Sequence, residues 1–407
     1  MIRWTIRVIL AVLSLILLSI AAFAGLPWFP VLADQFGAGA YRSHLAANET
    51  VLDLDVQGGG FVLHEDHLDA RYVIMGEMHG YALPQILDFK LVNYLQTEGP
   101  PRWYLAELTP REAIAVNAFL TGEDQLVVES VVDRLHAMGA QWGNTGFIEK
   151  LLVLSAISDS LPADRKIRFI GIDLDRDGDA LTLPEPQSDS APDLSDTSTA
   201  RAINDALLAV QPETYSRYAA MRARLTRLSE MPGFEDARFV GLWGLFHASE
   251  APINNAEPFA RWLQHDDAPY RGDVVTINTL CVGQCFNMMP ADALPEPLRG
   301  PNGERYTWLP MGIENPYFQR PRGIGDLMHT LGPDRAALYH IGGEGSPYAT
   351  GNRLVGSSGY LAMMQPWEIS GSATDMTDYI LIYRDTPPLR PWNGEAFDIT
   401  GQAADAR

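Results

Sequence analysis

Short apolar runs that each stop at a glycine or an ionisable residue recur along this chain, separated by stretches whose apolar residues fall at helical spacing. The first is Tyr72-Val73-Ile74-Met75, followed by Gly76-Glu77-Met78-His79-Gly80. An unbroken apolar run of this length fits a strand buried on both faces, although periodicity alone leaves a short helix open. The downstream pattern decides for the strand. Residues 84–99 place Ile86, Leu87, Leu91, Tyr94 and Leu95 at helical spacing, with Pro84 in the first turn and Gly99 near the end. Trp103-Tyr104-Leu105-Ala106 is a second run, ending in Glu107, and a helical stretch over residues 110–120 comes next. A helix around 145–158 leads to a third run over 167–172, closing on Asp173. Residues 201–231 carry an amphipathic helix pattern, and the run over 239–246 terminates in His247. Runs at 274–280, 336–341 and 379–383 read as further strands, and the Gly-rich stretch 342–359 as loop. This alternation predicts an α/β fold with a central, mostly parallel sheet flanked by helices and carrying helical and loop insertions.

The N-terminal pattern differs. Residues 8–26 form a nearly continuous apolar stretch, and no charge occurs between Arg7 and Asp34. That is close to the roughly 20 residues a membrane-spanning helix needs. Arg3 and Arg7 before it hold the N-terminus in the cytoplasm and place the rest on the far, periplasmic side. Ala22-Phe23-Ala24 also has the small-x-small form of a signal-peptidase site. The two readings are a retained anchor and a cleaved secretory signal. The length of the run and the interfacial placing of Trp4, Trp28 and Phe29 favour the anchor.

The expected organisation is therefore an anchor or signal over residues 1–30, a linker leading into the fold over 31–65, and one large α/β domain over 66–407. Asp, Ser and Pro dominate residues 177–200, which read as an exposed, mobile insertion. Composition adds little beyond a globular class, with 46% hydrophobic and 20% charged residues among 407. Charge is more informative. A net charge of -21, from 51 acidic against 30 basic residues, repels a phosphate backbone and argues against nucleic acid as a partner. The two cysteines, Cys281 and Cys285, are too sparse for a zinc site, and their spacing leaves a disulfide and two buried thiols equally open.

Chemistry enters through the strand ends. In an open α/β sheet, ligands bind outside the carboxyl ends of the strands. Four apolar runs end there in ionisable residues: Glu77 with His79, Glu107, Asp173 with Asp175 close by, and His247. Each alone reads as a cap, a turn or a bonded core side chain, but a parallel sheet gathers all of them at one edge. Glycines on both sides of Glu77-Met78-His79 permit a sharp strand exit and close ligand approach.

These residues resemble a known superfamily. Gly76-Glu77-Met78-His79-Gly80 resembles the Gly-Glu-x-x-His-Gly opening of erythromycin esterases, and more closely the Gly-Glu-x-His form of ChaN-like haem-binding proteins. Ala106-Glu107 with the segment 116–122, Trp142, Gly171-Ile172-Asp173 and Gly244-Leu245-Phe246-His247 continue the resemblance in order, over roughly residues 70–250. Two departures stand out. One residue separates Glu77 from His79, and a single histidine occupies the later site where the esterases have a pair.

The expected activity is an esterase- or lactonase-type hydrolase acting on a small molecule. His79 serves as general base toward water, Glu77 or Glu107 holds its tautomer, and His247 stabilises the oxyanion or protonates the leaving alkoxide. No Gly-x-Ser-x-Gly elbow supplies a nucleophile. Two alternatives remain: a metal-dependent hydrolase, since Glu, Asp and His are donors that zinc or manganese accept, and a ChaN-like protein binding haem or a small apolar ligand. The favoured reading requires no cofactor.

Overall fold

The structure is a computed structural model. It describes residues 14–16, 19, 25, 28–55, 60–122, 127–175 and 197–393, apart from 211, 213, 215, 272, 300–302, 317–319, 334 and 359–367. Eleven strands are present in it: β1 (Glu49–Val51), β2 (Tyr72–Glu77), β3 (Trp103–Ala106), β4 (Phe169–Gly171), β5 (Phe239–Gly244), β6 (Val274–Pro290), β7 (Tyr306–Pro310), β8 (Arg320–Pro321), β9 (Ala336–His340), β10 (Ser357–Ser358) and β11 (Tyr379–Thr386).

The main sheet runs in the order β1-β9-β11-β6-β2-β5-β3-β4, with β7 attached to β6, while β8 and β10 pair separately. All neighbours from β11 to β4 are parallel, and β9, β1 and β7 pair antiparallel. This is the expected mixed α/β sheet, parallel at its centre. Strands β2 and β5 are buried along their whole length, which explains their unbroken apolar sequences. Alternate residues serve opposite faces. Val73 and Met75 join Val240 and Leu242 in a core beneath helices Leu83–Glu98, Pro110–Leu120 and Thr145–Ser160. Tyr72 and Ile74 join Phe239 and Trp243 on the other face, under helices Thr197–Leu208 and Arg217–Ser229.

Several expectations need correction. The segment 31–65 is more than a linker: it carries helix Ala38–Ala47 and the edge strand β1. Asp34, buried, accepts from Arg322 Nε at 2.7 Å and the Gly323 amide at 2.9 Å, and it pairs with Arg320. The single helical pattern over 201–231 is two helices, Thr197–Leu208 and Arg217–Ser229, because Pro212 lies between them and lacks an amide to continue the first. Helix Thr197–Leu208 also begins inside the expected insertion, of which residues 177–196 lie outside the described residues. The anchor over residues 8–26 likewise falls mostly outside them. Among the described residues, no helix is long and apolar enough to cross a membrane. Of the two outcomes left open for Cys281 and Cys285, the structure has the disulfide, on strand β6.

Candidate active site

The parallel strands β2, β3, β4 and β5 bring Glu77, Glu107, Asp173 and His247 to one edge of the sheet. Glu77 is the last residue of β2 and is fully enclosed. Its Oε1 accepts from His79 Nδ1 at 2.9 Å and from Trp142 Nε1 at 2.8 Å, and Gln85 Nε2 donates to Oε2 at 3.2 Å. A carboxylate can only accept, so Nδ1 carries the proton and the lone pair of a neutral His79 sits on Nε2. Nε2 faces Glu107 Oε2 at 4.0 Å. Gly244 makes room for it, since a Cβ there would stand 2.8 Å from Nε2.

Glu107 follows β3. Its Oε2 accepts the Gly244 amide at 2.7 Å, while Oε1 pairs with Arg217 and lies 3.4 Å from His247 Nε2. Arg217, the first residue of its helix, also grips Asp173 with two nitrogens at 2.7 Å each. Two carboxylates from neighbouring strand ends are thus joined by one planar cation. His247 lies behind this bridge, with Nδ1 2.9 Å from the Tyr218 hydroxyl and Nε2 3.2 Å from Arg217 Nη1. Asp175 turns away to Arg224.

The surroundings set the charge states. Burial opposes charging of His79, but the Glu77 hydrogen bond and the Glu107 and Glu77 charges outweigh it, so its pKa lies above the usual 6.5. Burial alone raises Glu107, yet the charges of His79, His247 and Arg217 and the Gly244 amide bring it down from 4.5 to about 2. Burial lowers His247 below 6.5, against the pull of Glu107, which favours its neutral form. The edge therefore holds a strengthened base, an ionised carboxylate and a fixed guanidinium.

These groups open on a cleft of ≈ 260 Å³ lined by His79, Glu107, Asp173, Arg217 and Trp142, with Leu135 and Met138 among its apolar walls. About a third of the His79 and Arg217 side chains is exposed, 32% and 35%. His247 does not line the cleft, so its placing supports Glu107 and Arg217 more directly than a bound molecule. Among the described residues, no three His, Cys, Asp or Glu side chains are grouped to hold a metal ion, and Arg217 lies between the carboxylates where a cation would sit.

Sequence reading missed Arg217, Tyr218 and Gln85. The signal for Arg217 was indirect. Three acidic strand ends gathered in one place require a counter-cation, and the segment 217–227 supplies four arginines and no lysine.

No protein-family model matches the chain, and no curated protein matches it either. Solved structures do resemble it. A Bacillus cereus protein superposes with a TM-score of 0.57 at 12% identity, covering 87% of this chain and 99% of its own. A succinoglycan biosynthesis protein gives 0.52 at 14%, covering 86% and 97%. A mutant of the erythromycin esterase EreC in its open conformation gives 0.52 at 12%, covering 84% and 99%. The chain has the erythromycin esterase fold.

Proposed function

We propose that this protein hydrolyses an ester or lactone in the cleft at the strand ends, with His79 as general base. The observation that carries the reading is the Glu77–His79 pair at 2.9 Å, which fixes the tautomer and leaves Nε2 toward the cleft. Nε2 takes a proton from water while the water oxygen bonds to the substrate carbonyl carbon. The displaced carbonyl electrons form an oxyanion, for which Arg217 is the nearby positive group. Collapse breaks the bond to the alkoxide, which recovers the proton from the His79 imidazolium, giving an acid and an alcohol. Glu107, ionised, stabilises that imidazolium. A binding role for haem is less well served, because iron at Nε2 would compete with the Glu107 carboxylate.

His79→Ala is expected to lower turnover of an ester and lactone panel by ~10²–10⁴-fold with the circular-dichroism spectrum unchanged. Undiminished turnover in the folded variant refutes the mechanism.

The finer reading is a hydrolase held at the periplasmic face of a membrane by residues 8–26, the cleaved signal being the alternative. Phe29, Leu32 and Phe36, 77%, 63% and 83% exposed, follow that apolar stretch and flank the buried Asp34. Alkaline carbonate should leave the full chain in the membrane pellet. Release into the supernatant removes the tether from the proposal.

A further inference from the structure

Strand β6 does two jobs in succession. It pairs with β2 as far as Asn278 and with β11 as far as Val282, meeting β11 once more at Cys285 after a register shift, and from Phe286 onward it turns to pair with β7. The second section holds the loop that carries His79. Asn287 Nδ2 donates to the His79 carbonyl at 2.6 Å, and the Met288 amide donates to the Gly80 carbonyl at 2.9 Å. Gln141 Nε2 ties the same parts together, reaching the His79 carbonyl at 2.9 Å and the Met288 carbonyl at 2.6 Å. Gly80, at φ +94°, has no space for a Cβ against Gln141 and Met288. The side chain of His79 is thus aimed by Glu77, and its main chain by β6.

The turn between the two sections is where the cysteines lie. Four residues of extended strand span about 13 Å, at roughly 3.3 Å each. The Cα atoms of Cys281 and Cys285 are 6.1 Å apart. The chain therefore folds back within five residues, through Gly283 at φ +82°. Glu314 accepts the Gly283 amide at 2.9 Å and Asp385 accepts the Gln284 amide at 2.6 Å. The disulfide closes the base of this bend in the buried layer, and Phe286-Asn287-Met288 leave directly from it.

We propose that the Cys281–Cys285 disulfide is a positioning element for His79: it fixes the bend in β6, and the bend delivers Asn287 and Met288 to the His79–Gly80 backbone. The inference rests on the hydrolytic reading for its kinetic consequence only. Neither cysteine touches the cleft, so the effect passes through Asn287 and Met288. Loosening the bend lets the His79 loop drift from Glu77, which weakens the hydrogen bond that raises the imidazole pKa.

The experiment compares the full-length protein with Cys281→Ala/Cys285→Ala and with Asn287→Ala, following the His79 ring nitrogens by NMR titration and kcat and KM on the best ester. In both variants the His79 pKa is expected to fall toward 6.5, and kcat to fall about 10–100-fold with KM changed less than about twofold. A lower melting temperature with unaltered His79 pKa and kcat overturns the proposal, since the bridge is then only structural. If the double variant does not fold, Asn287→Ala decides, because it leaves the bridge intact. If the unaltered protein turns over no ester, the hydrolytic reading fails, and the His79 titration in the variants still decides the positioning.

Discussion

The two edges of the parallel sheet carry the same residue types with their pKa values shifted in opposite directions. At the C-terminal edge, His79 touches a carboxylate and its pKa rises. At the N-terminal edge, the end of β9 and the start of β11 bring His340 and Tyr379 against His64 and His67, with the three histidine rings 5.3, 5.7 and 5.9 Å apart. There His67 Nδ1 meets the neutral Tyr379 hydroxyl at 2.8 Å. Burial lowers His67 and His340 below 6.5, and the Asp378 charge does not compensate in either. The carboxylates diverge as well. Glu107 falls to about 2 beside His79, His247 and Arg217, whereas burial and then the like charge of Asp378 push Glu250 well above the usual range. A hydrogen-bonded opposite charge, more than the degree of burial, separates a histidine whose pKa rises from one whose pKa falls.

The largest test of that contrast removes the cation. Arg217→Leu leaves Asp173 without the guanidinium and Glu107 with only its histidines and the Gly244 amide. Breaking a buried pair costs about 3–5 kcal/mol, and roughly 1–3 is expected here because Arg217 is partly solvated. Turnover should fall by ~10²-fold or more with the loss of positive charge at the cleft. The pH dependence has a definite sign. Because Glu107 is depressed in the folded state, its contribution is present above its ordinary 4.5 and is lost as pH falls toward about 2. The stability gap between parent and variant in denaturant titrations should therefore narrow over that window. Equal unfolding free energies at pH 7 would break the comparison.

A smaller effect separates the histidines. In NMR titration, His79 should titrate above 6.5, and His67 and His340 below it. The raised His79 contributes stability fully present below 6.5 and lost as pH rises through its folded pKa; for the lowered pair, the contribution is intact above 6.5 and lost as pH falls through theirs. Glu77→Gln keeps the shape but removes the charge, and should turn His79 into a histidine of the His67 kind. The acid limb of the pH–rate profile would move down with it. A His79 that already titrates below 6.5 in the parent protein contradicts the contrast at its source.

How far the sequence reached depends on which contacts are local. Runs such as Trp103-Tyr104-Leu105-Ala106 are apolar because both faces of a central strand are covered, so β2 to β5 and their ionisable ends were legible. Helix Pro110–Leu120 was bounded correctly because Thr109 and Glu112 form a capping box around Pro110. By contrast, β1 is three residues long and takes its strand character from pairing with β9, some 290 residues later. The second section of β6 was invisible for the same reason, since its direction is set by Gly283 and a partner strand downstream. Arg217 escaped because a residue that joins strand ends from a distant helix leaves no periodic trace.

The smallest expected effect lies at the N-terminal edge. Tyr379→Phe removes the hydroxyl that meets His67 Nδ1 and accepts the His64 amide, both at 2.8 Å. A neutral hydrogen bond lost there should cost about 1 kcal/mol in thermal unfolding. His67 should remain below 6.5, because burial and not the tyrosine is the leading cause of its shift. Turnover should not change, since β11 runs from Tyr379 toward Thr386 and puts the length of the strand between this hydroxyl and the opposite edge of the sheet. A loss of activity in this variant would mean that the two edges are coupled through β11 and β6, the strand whose far section grips the His79 loop.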